Sequence, residues 1–133
     1  MAYAQWAVFT IKVVGFTMTM KNVVHEWGKF YDGSNKDNEI PPSDVDGKTI
    51  TDGNSYTFGA CGRSDAAAGT EGSFDIYDGN TLVASYHWDC PWGSKTNHSD
   101  LVMHDEDDYV VQVTGANINS GALGNVAIKV VKI

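Results

Sequence analysis

The chain has 133 residues, 42% of them apolar and 20% charged, with 14 Gly, 3 Pro and 2 Cys, which is the balance of one ordinary globular domain able to bury a core without metal or disulfide help. This argues against two domains, a collagen-like repeat and bulk disorder, and no apolar run reaches the roughly 18 residues of a spanning helix. Nine Lys+Arg against 17 Asp+Glu give a formal charge of -8, the wrong sign for gripping nucleic acid or anionic lipid, although neutral and zwitterionic headgroups stay open.

The start, Met1-Ala2-Tyr3-Ala4-Gln5-Trp6, has no basic n-region, and the apolar residues after it alternate with polar ones, so no signal peptide is visible. A mature chain, a cytosolic chain and one exported by an unmarked route all remain open. Ala7, Phe9, Ile11 and Val13 share one side of a predicted strand, and Phe16, Met18 and Met20 continue the alternation beyond Gly15. Residues 32–55, with Pro41-Pro42 and many charges, read as the longest irregular stretch, crossing one rim with a short edge strand.

Alternation resumes at Tyr56, Phe58 and Ala60, then at Phe74 and Ile76, then at Leu82, Ala84, Tyr86 and Trp88. Asp-Gly at 78-79 predicts a type I′ hairpin between the last two of these runs, and the same dipeptide recurs at 32-33, 46-47 and 52-53. Tyr109, Val111 and Val113, then Val126, Ile128 and Val130, supply the last strands, for seven or eight in all. No window keeps a helical apolar face. Short strands separated by turn clusters predict an all-β, two-sheet antiparallel sandwich or barrel.

Catalytic patterns are weak. Gly62-Arg63-Ser64-Asp65-Ala66 lacks the second glycine of a nucleophile elbow, and His87-x-x-Cys90 on a strand points its two side chains to opposite faces. His87, Cys90, His98 and His104 fit no paired zinc spacing, and Lys36 stands where a calcium loop starting at Asp32 needs an oxygen, so no metal or cofactor is expected. Asp105-Glu106-Asp107-Asp108 reads as a solvated loop. Asn97-His98-Ser99 is formally a glycosylation acceptor and, without a signal peptide, reads as accidental. Cys61 and Cys90 are buried small hydrophobes or disulfide partners, which spacing does not decide.

Aromatic chemistry in loops stands out instead. Tyr86 to Asn97 carries Trp88 and Trp92, His87 and Lys95 around a strand end that Pro91 and Gly93 interrupt, and Trp27-Gly28-Lys29 repeats the pairing of indole and ammonium. Indole favours the headgroup region of a bilayer and an ammonium pairs with phosphate. Trp6 and Trp88, inside alternating strands, read as structural.

Ala2-Tyr3-Ala4-Gln5-Trp6, Trp27-Gly28-Lys29, Ala60-Cys61-Gly62-Arg63-Ser64-Asp65-Ala66, His87 through Asn97, and Ser120-Gly121-Ala122-Leu123-Gly124 resemble the aegerolysins, small acidic fungal and bacterial proteins, over essentially the whole chain. The resemblance implies one aegerolysin-type, actinoporin-like β-sandwich domain over residues 1–133, without a cleaved signal peptide, acting at a target-membrane surface as a cytosolic or non-classically secreted protein. It implies binding of sphingomyelin with cholesterol or of ceramide phosphoethanolamine, haemolytic activity, and recruitment of a larger partner with a membrane-attack-complex/perforin domain. Trp27, Trp92 and Lys95 would touch the headgroup, with Trp6 and Asp89 nearby. Ala68 stands where lipid-selective members carry an acidic residue, Glu71 follows three positions on, and His87 replaces a Tyr of some members. Lipid choice therefore turns on whether Glu71 takes the missing carboxylate's place, and His87, if it lines the pocket, would bring pH dependence. A carbohydrate- or protein-binding sandwich is the competing expectation, with the tryptophans stacking on sugar faces, and an enzyme is the remote one.

Overall fold

A computed structural model of the protein describes residues 2–63 and 67–133. Eleven strands form among the described residues: β1 (Trp6–Val14), β2 (Met18–Trp27), β3 (Lys29–Tyr31), β4 (Glu39–Ile40), β5 (Thr49–Ile50), β6 (Ser55–Cys61), β7 (Thr70–Asp78), β8 (Thr81–Cys90), β9 (His98–Met103), β10 (Tyr109–Thr114) and β11 (Gly124–Lys132). One helical turn, α1 (Pro42–Val45), lies between β4 and β5. The strands build a six-stranded sheet, β10-β11-β1-β6-β3-β4, and a five-stranded sheet, β5-β2-β7-β8-β9. The expected two-sheet, all-β architecture is what the chain adopts.

The apolar alternation explains the packing. Ala7, Phe9, Ile11 and Val13 of β1 are all fully buried, as are Phe58 and Ala60 of β6, and Val126, Ile128 and Val130 of β11 are nearly so. From the other sheet Met18, Met20, Phe74, Ile76, Tyr86 and Trp88 meet them. Trp88 is the centre of the aromatic cluster, with its ring 4.8 Å from Phe9 and 6.1 Å from Phe30.

Four local readings are corrected. β1 and β11 pair in parallel, with Ala7 opposite Gly124 and Val14 opposite Val131, so the sheets are not wholly antiparallel; alternation fixes which face a strand buries, not the direction of its neighbour. β3 escapes detection because Lys29 and Tyr31 are covered on the outer face while Phe30 fills the core, which leaves no period of two. β9 escapes because it is an edge strand whose outer positions are His98, Asp100 and Val102. The hairpin after β7 turns on Gly79-Asn80, one residue later than expected, because Asp78 still pairs with Thr81. Gly79 has φ of 58° and Asn80 does not join it at positive φ, the pattern of a type II′ turn.

The irregular stretch does more than cross a rim. β4 lies at one edge of the first sheet and β5 at the corresponding edge of the second, so residues 32–55 lace that side of the sandwich shut. The acidic loop 105–108 does the same on the other side, from β9 to β10. Both cysteines are free thiols. Cys61 lies beside Trp6 and Lys29 in register, on the outer face of its sheet, whereas Cys90 belongs to the core between the sheets.

Candidate functional site

One end of the sandwich gathers the β2–β3 turn, the loop from β6 to β7, the loop from β8 to β9 and the loop from β10 to β11. On the outer face of the five-stranded sheet at this end, hydrogen-bonded neighbours place Trp27, Glu71, Asp89 and His98 in one row across β2, β7, β8 and β9. Above the row opens a hollow of about 410 Å³, whose lining includes Trp27, Ala68, Glu71, Asp89, Trp92 and Lys95. The structure thus brings together six of the expected site residues. Glu71 reaches the hollow directly from its strand, without any bending of the preceding loop.

The other two expected residues lie elsewhere. Trp6 is on the outer face of the six-stranded sheet, with the Lys36 ammonium 5.1 Å from its ring centroid, because its neighbour Ala7 points into the core. His87 sits one row below the hollow on β8, level with Ser73 and Asp100, and does not line it. Its Nε2 is 2.8 Å from Glu71 Oε2 and its Nδ1 is 3.2 Å from Asp100 Oδ2. It is therefore a brace beneath Glu71. Ser64, Asp65 and Ala66, which carry part of the nucleophile-elbow reading and of the family-like block, lie outside the described residues.

Gly28 explains why Trp27 projects. The turn from β2 to β3 needs φ of 87° there, and a Cβ at that position would lie 2.3 Å from the carbonyl oxygen of Cys61. No residue but glycine meets both demands, and the tight reversal leaves Trp27 60% exposed. On the opposite wall Pro91 and Gly93 end strand pairing, so Trp92 stands out at 37% exposure. Asn97 anchors the loop that follows. It is 1% exposed, and its side-chain amide donates to the Asn117 and Gly121 carbonyls at 2.9 and 3.0 Å. An amide so committed is closed to a glycosyl group.

Charge is unevenly distributed in the hollow. Glu71 and Asp89 face each other across paired strands, while Lys95 comes from the loop on the far wall. Burial and then the Glu71 charge hold the Asp89 carboxyl above its ordinary value. Burial pulls His87 down, but its hydrogen bonds to Glu71 and Asp100 and their charges outweigh that and raise it. Behind the row, Thr70 Oγ1 accepts from Trp88 Nε1 at 3.2 Å and lies 3.2 Å from His25 Nε2. His25 is pulled down to about 4 by burial and the Arg63 charge, so its ring is neutral near pH 7 and stacks on Phe30 at 4.2 Å. Pro91 of the family-like block lines the hollow too, as do Gly69 and Thr70, which no motif marks; a Cβ on Gly69 would lie 1.9 Å from the Cys90 carbonyl oxygen.

Two acidic groups on one wall, a lysine on the other and two exposed indoles form a dipolar, aromatic-walled recess. It suits a compact zwitterion, with cation against carboxylates and indole faces and anion against the ammonium. Among the described residues, no Ser, His or Cys lines it.

A family model described as Aegerolysin matches residues 4–133. The chain is 44% identical to Asp-hemolysin of Aspergillus fumigatus, over 97% of this chain and 94% of that one. It is 40% identical to Ostreolysin A6 of Pleurotus ostreatus, over 99% of this chain and 98% of that one. Among solved structures, IP-1A from Alcaligenes faecalis superposes with a TM-score of 0.93 at 46% identity, covering 98% of this chain and 93% of its own.

Proposed function

The chain belongs to the aegerolysin family, and from that we propose that it is a haemolysin-like protein that binds membrane lipid, taking a sphingolipid headgroup into the hollow between Trp27 and Trp92. The observation that carries this reading is the meeting of Trp27, Glu71, Asp89, Trp92 and Lys95 around one recess. Sphingomyelin with cholesterol and ceramide phosphoethanolamine are the two candidates, since both pair a phosphate with a cation and, unlike phosphatidylcholine, also offer a sphingoid amide and hydroxyl from which Asp89 can accept.

In this mechanism Lys95 pairs with the phosphate, and the cation settles between Glu71 and Asp89 with its flank on the indole faces. Binding a cation there offsets the Glu71 repulsion that, after burial, raises Asp89. With Ala68 in place of an acidic residue, Glu71 on its strand is the second carboxylate of the pocket, held in position from below by His87. Trp27 and Trp92, once the headgroup is seated, sit at the depth indole favours in a bilayer. The protein itself then acts at the target-membrane surface as the targeting half of a two-component cytolysin, whose larger partner carries a membrane-attack-complex/perforin domain and makes the pore.

Co-sedimentation with liposomes of phosphatidylcholine, of sphingomyelin with cholesterol, and of ceramide phosphoethanolamine, read together with Trp emission, tests the reading. Binding to a sphingolipid vesicle with a blue shift, and none to phosphatidylcholine alone, is the expected result. Absence of binding to all three, with capture on a glycan array, overturns it in favour of a carbohydrate-binding sandwich.

A further inference from the structure

The β10–β11 loop, residues 115–123, takes no part in lining the hollow, yet it is fastened to the loop that carries Trp92. Its sequence runs Gly115-Ala116-Asn117-Ile118-Asn119-Ser120-Gly121-Ala122-Leu123, and no Asp, Glu, Lys or Arg occurs from residue 109 to residue 128 in a chain of net charge -8. Leu123 is fully buried and Ala116 packs on the core, while Ile118 between them is 61% exposed.

This exposure is built in. The Asn97 backbone N–H donates to Asn119 O at 2.9 Å, and its side-chain amide donates to Asn117 O and Gly121 O. The Asn117 side-chain amide donates to Ser120 O at 3.1 Å and Ala122 O at 3.0 Å, and its backbone N–H to Leu123 O at 2.9 Å. Of the carbonyls from 117 to 123, all but that of Ile118 thus have a donor within the protein. Six of these seven carbonyls therefore need no water, which lowers the cost of bringing the loop towards a medium of low polarity. It also carries no charge to desolvate and, being held rigid, loses little freedom on binding.

We infer that Ile118 is a third membrane anchor, entering the boundary between headgroups and acyl chains beside Trp27 and Trp92 when the protein sits on a bilayer. The inference rests on the lipid-binding reading above. Two loops joined by hydrogen bonds bring Ile118 to the end where the two indoles are exposed, and burial of its side chain strengthens attachment without touching headgroup selection.

The test compares the wild type with Ile118→Asp, Ile118→Trp and, as a control at the opposite end of the sandwich, Ile133→Asp. Vesicles contain phosphatidylcholine and sphingomyelin with cholesterol, or phosphatidylcholine with ceramide phosphoethanolamine, each with and without brominated acyl chains. Ile118→Asp is expected to bind about tenfold more weakly with an unchanged melting temperature, as loss of one buried aliphatic side chain implies. Ile133→Asp should bind like the wild type, and Ile118→Trp should add emission that brominated chains quench. Equal binding by Ile118→Asp, or unquenched emission from the added indole, overturns the anchor while leaving the lipid reading intact. A wild type that binds neither vesicle set overturns both.

Discussion

At one end of the sandwich two long loops are almost free of charge, residues 91–97 with one lysine and residues 115–123 with none, and the tight turn at Gly28 sets Trp27 beside them. At the other end the connections are short and acidic, with the Asp52 carboxylate accepting from the Gly15 N–H at 2.7 Å, the Gly79-Asn80 hairpin, and Asp105 to Asp108 in succession. The same strands feed both ends, so the strands do not account for the difference. The acidic end caps backbone N–H groups with carboxylates that also meet water; the aromatic end satisfies loop carbonyls through Asn97 and Asn117 and leaves apolar side chains uncovered. The lesson is that a site can be recognised by how its loops obtain their hydrogen bonds as well as by which side chains it exposes.

The largest expected effect compares one glycine from each end. Gly28→Ala forces a Cβ against the Cys61 carbonyl at an unfavourable φ, and a loss of about 3 kcal/mol or more in urea unfolding is expected. Gly79→Ala, with nothing within 4 Å of the new Cβ, should cost only about 1 kcal/mol. Similar losses at both positions would break the contrast. Next in size, Lys95→Ala should weaken binding to sphingolipid vesicles about tenfold while leaving stability within about 0.5 kcal/mol of the wild type. The double change Glu106→Gln with Asp107→Asn, at the acidic end, should alter the same binding by less than about twofold, since exposed charges so far away are screened.

The smallest effect concerns pH. His87 titrates higher in the folded protein than in the unfolded chain, so its braces to Glu71 and Asp100 add stability below the unfolded value near 6.5, and that stability fades as pH rises through the folded value. His87 is partly exposed, which keeps the contribution below about 1 kcal/mol. Melting temperatures of the wild type and His87→Gln between pH 5.5 and 8 should therefore converge on the alkaline side. A gap that widens with rising pH would contradict the brace.

Much of the fold was legible. The alternation of Phe9 and Ile11, of Phe74 and Ile76, and of Ile128 and Val130 marks buried faces, because a strand with one wet side must alternate. Lys29 to Tyr31, covered on both faces, and the polar edge strand β9 give no such signal. Trp27, Asp89, Trp92 and Lys95 could be singled out from loop composition and family resemblance, but their convergence required the register that aligns Trp27, Glu71 and Asp89. Trp6 and His87 differ from expectation for separate reasons: Trp6 takes the outer face of the other sheet, whereas His87 shares the outer face of β8 with Asp89 but lies one row further from the hollow, and neither position follows from sequence proximity to the site. Ile118 had a readable signature, an isoleucine between two asparagines in an uncharged, glycine-bounded loop, but only the hydrogen bonds to Asn97 give it a place.

β1 lies between β6 and β11, in parallel with a strand more than a hundred residues later in the chain. During translation, then, β1 waits for a partner strand made more than a hundred residues later. Until residues 124–132 emerge, one edge of β1 from Ala7 to Val14 has no partner, and Val126, Ile128 and Val130 are missing from the core it should close. The nascent chain therefore carries an open, apolar strand edge until β11 is made, and a closure across more than a hundred residues is slow and exposes the unfinished sheet to pairing with other chains.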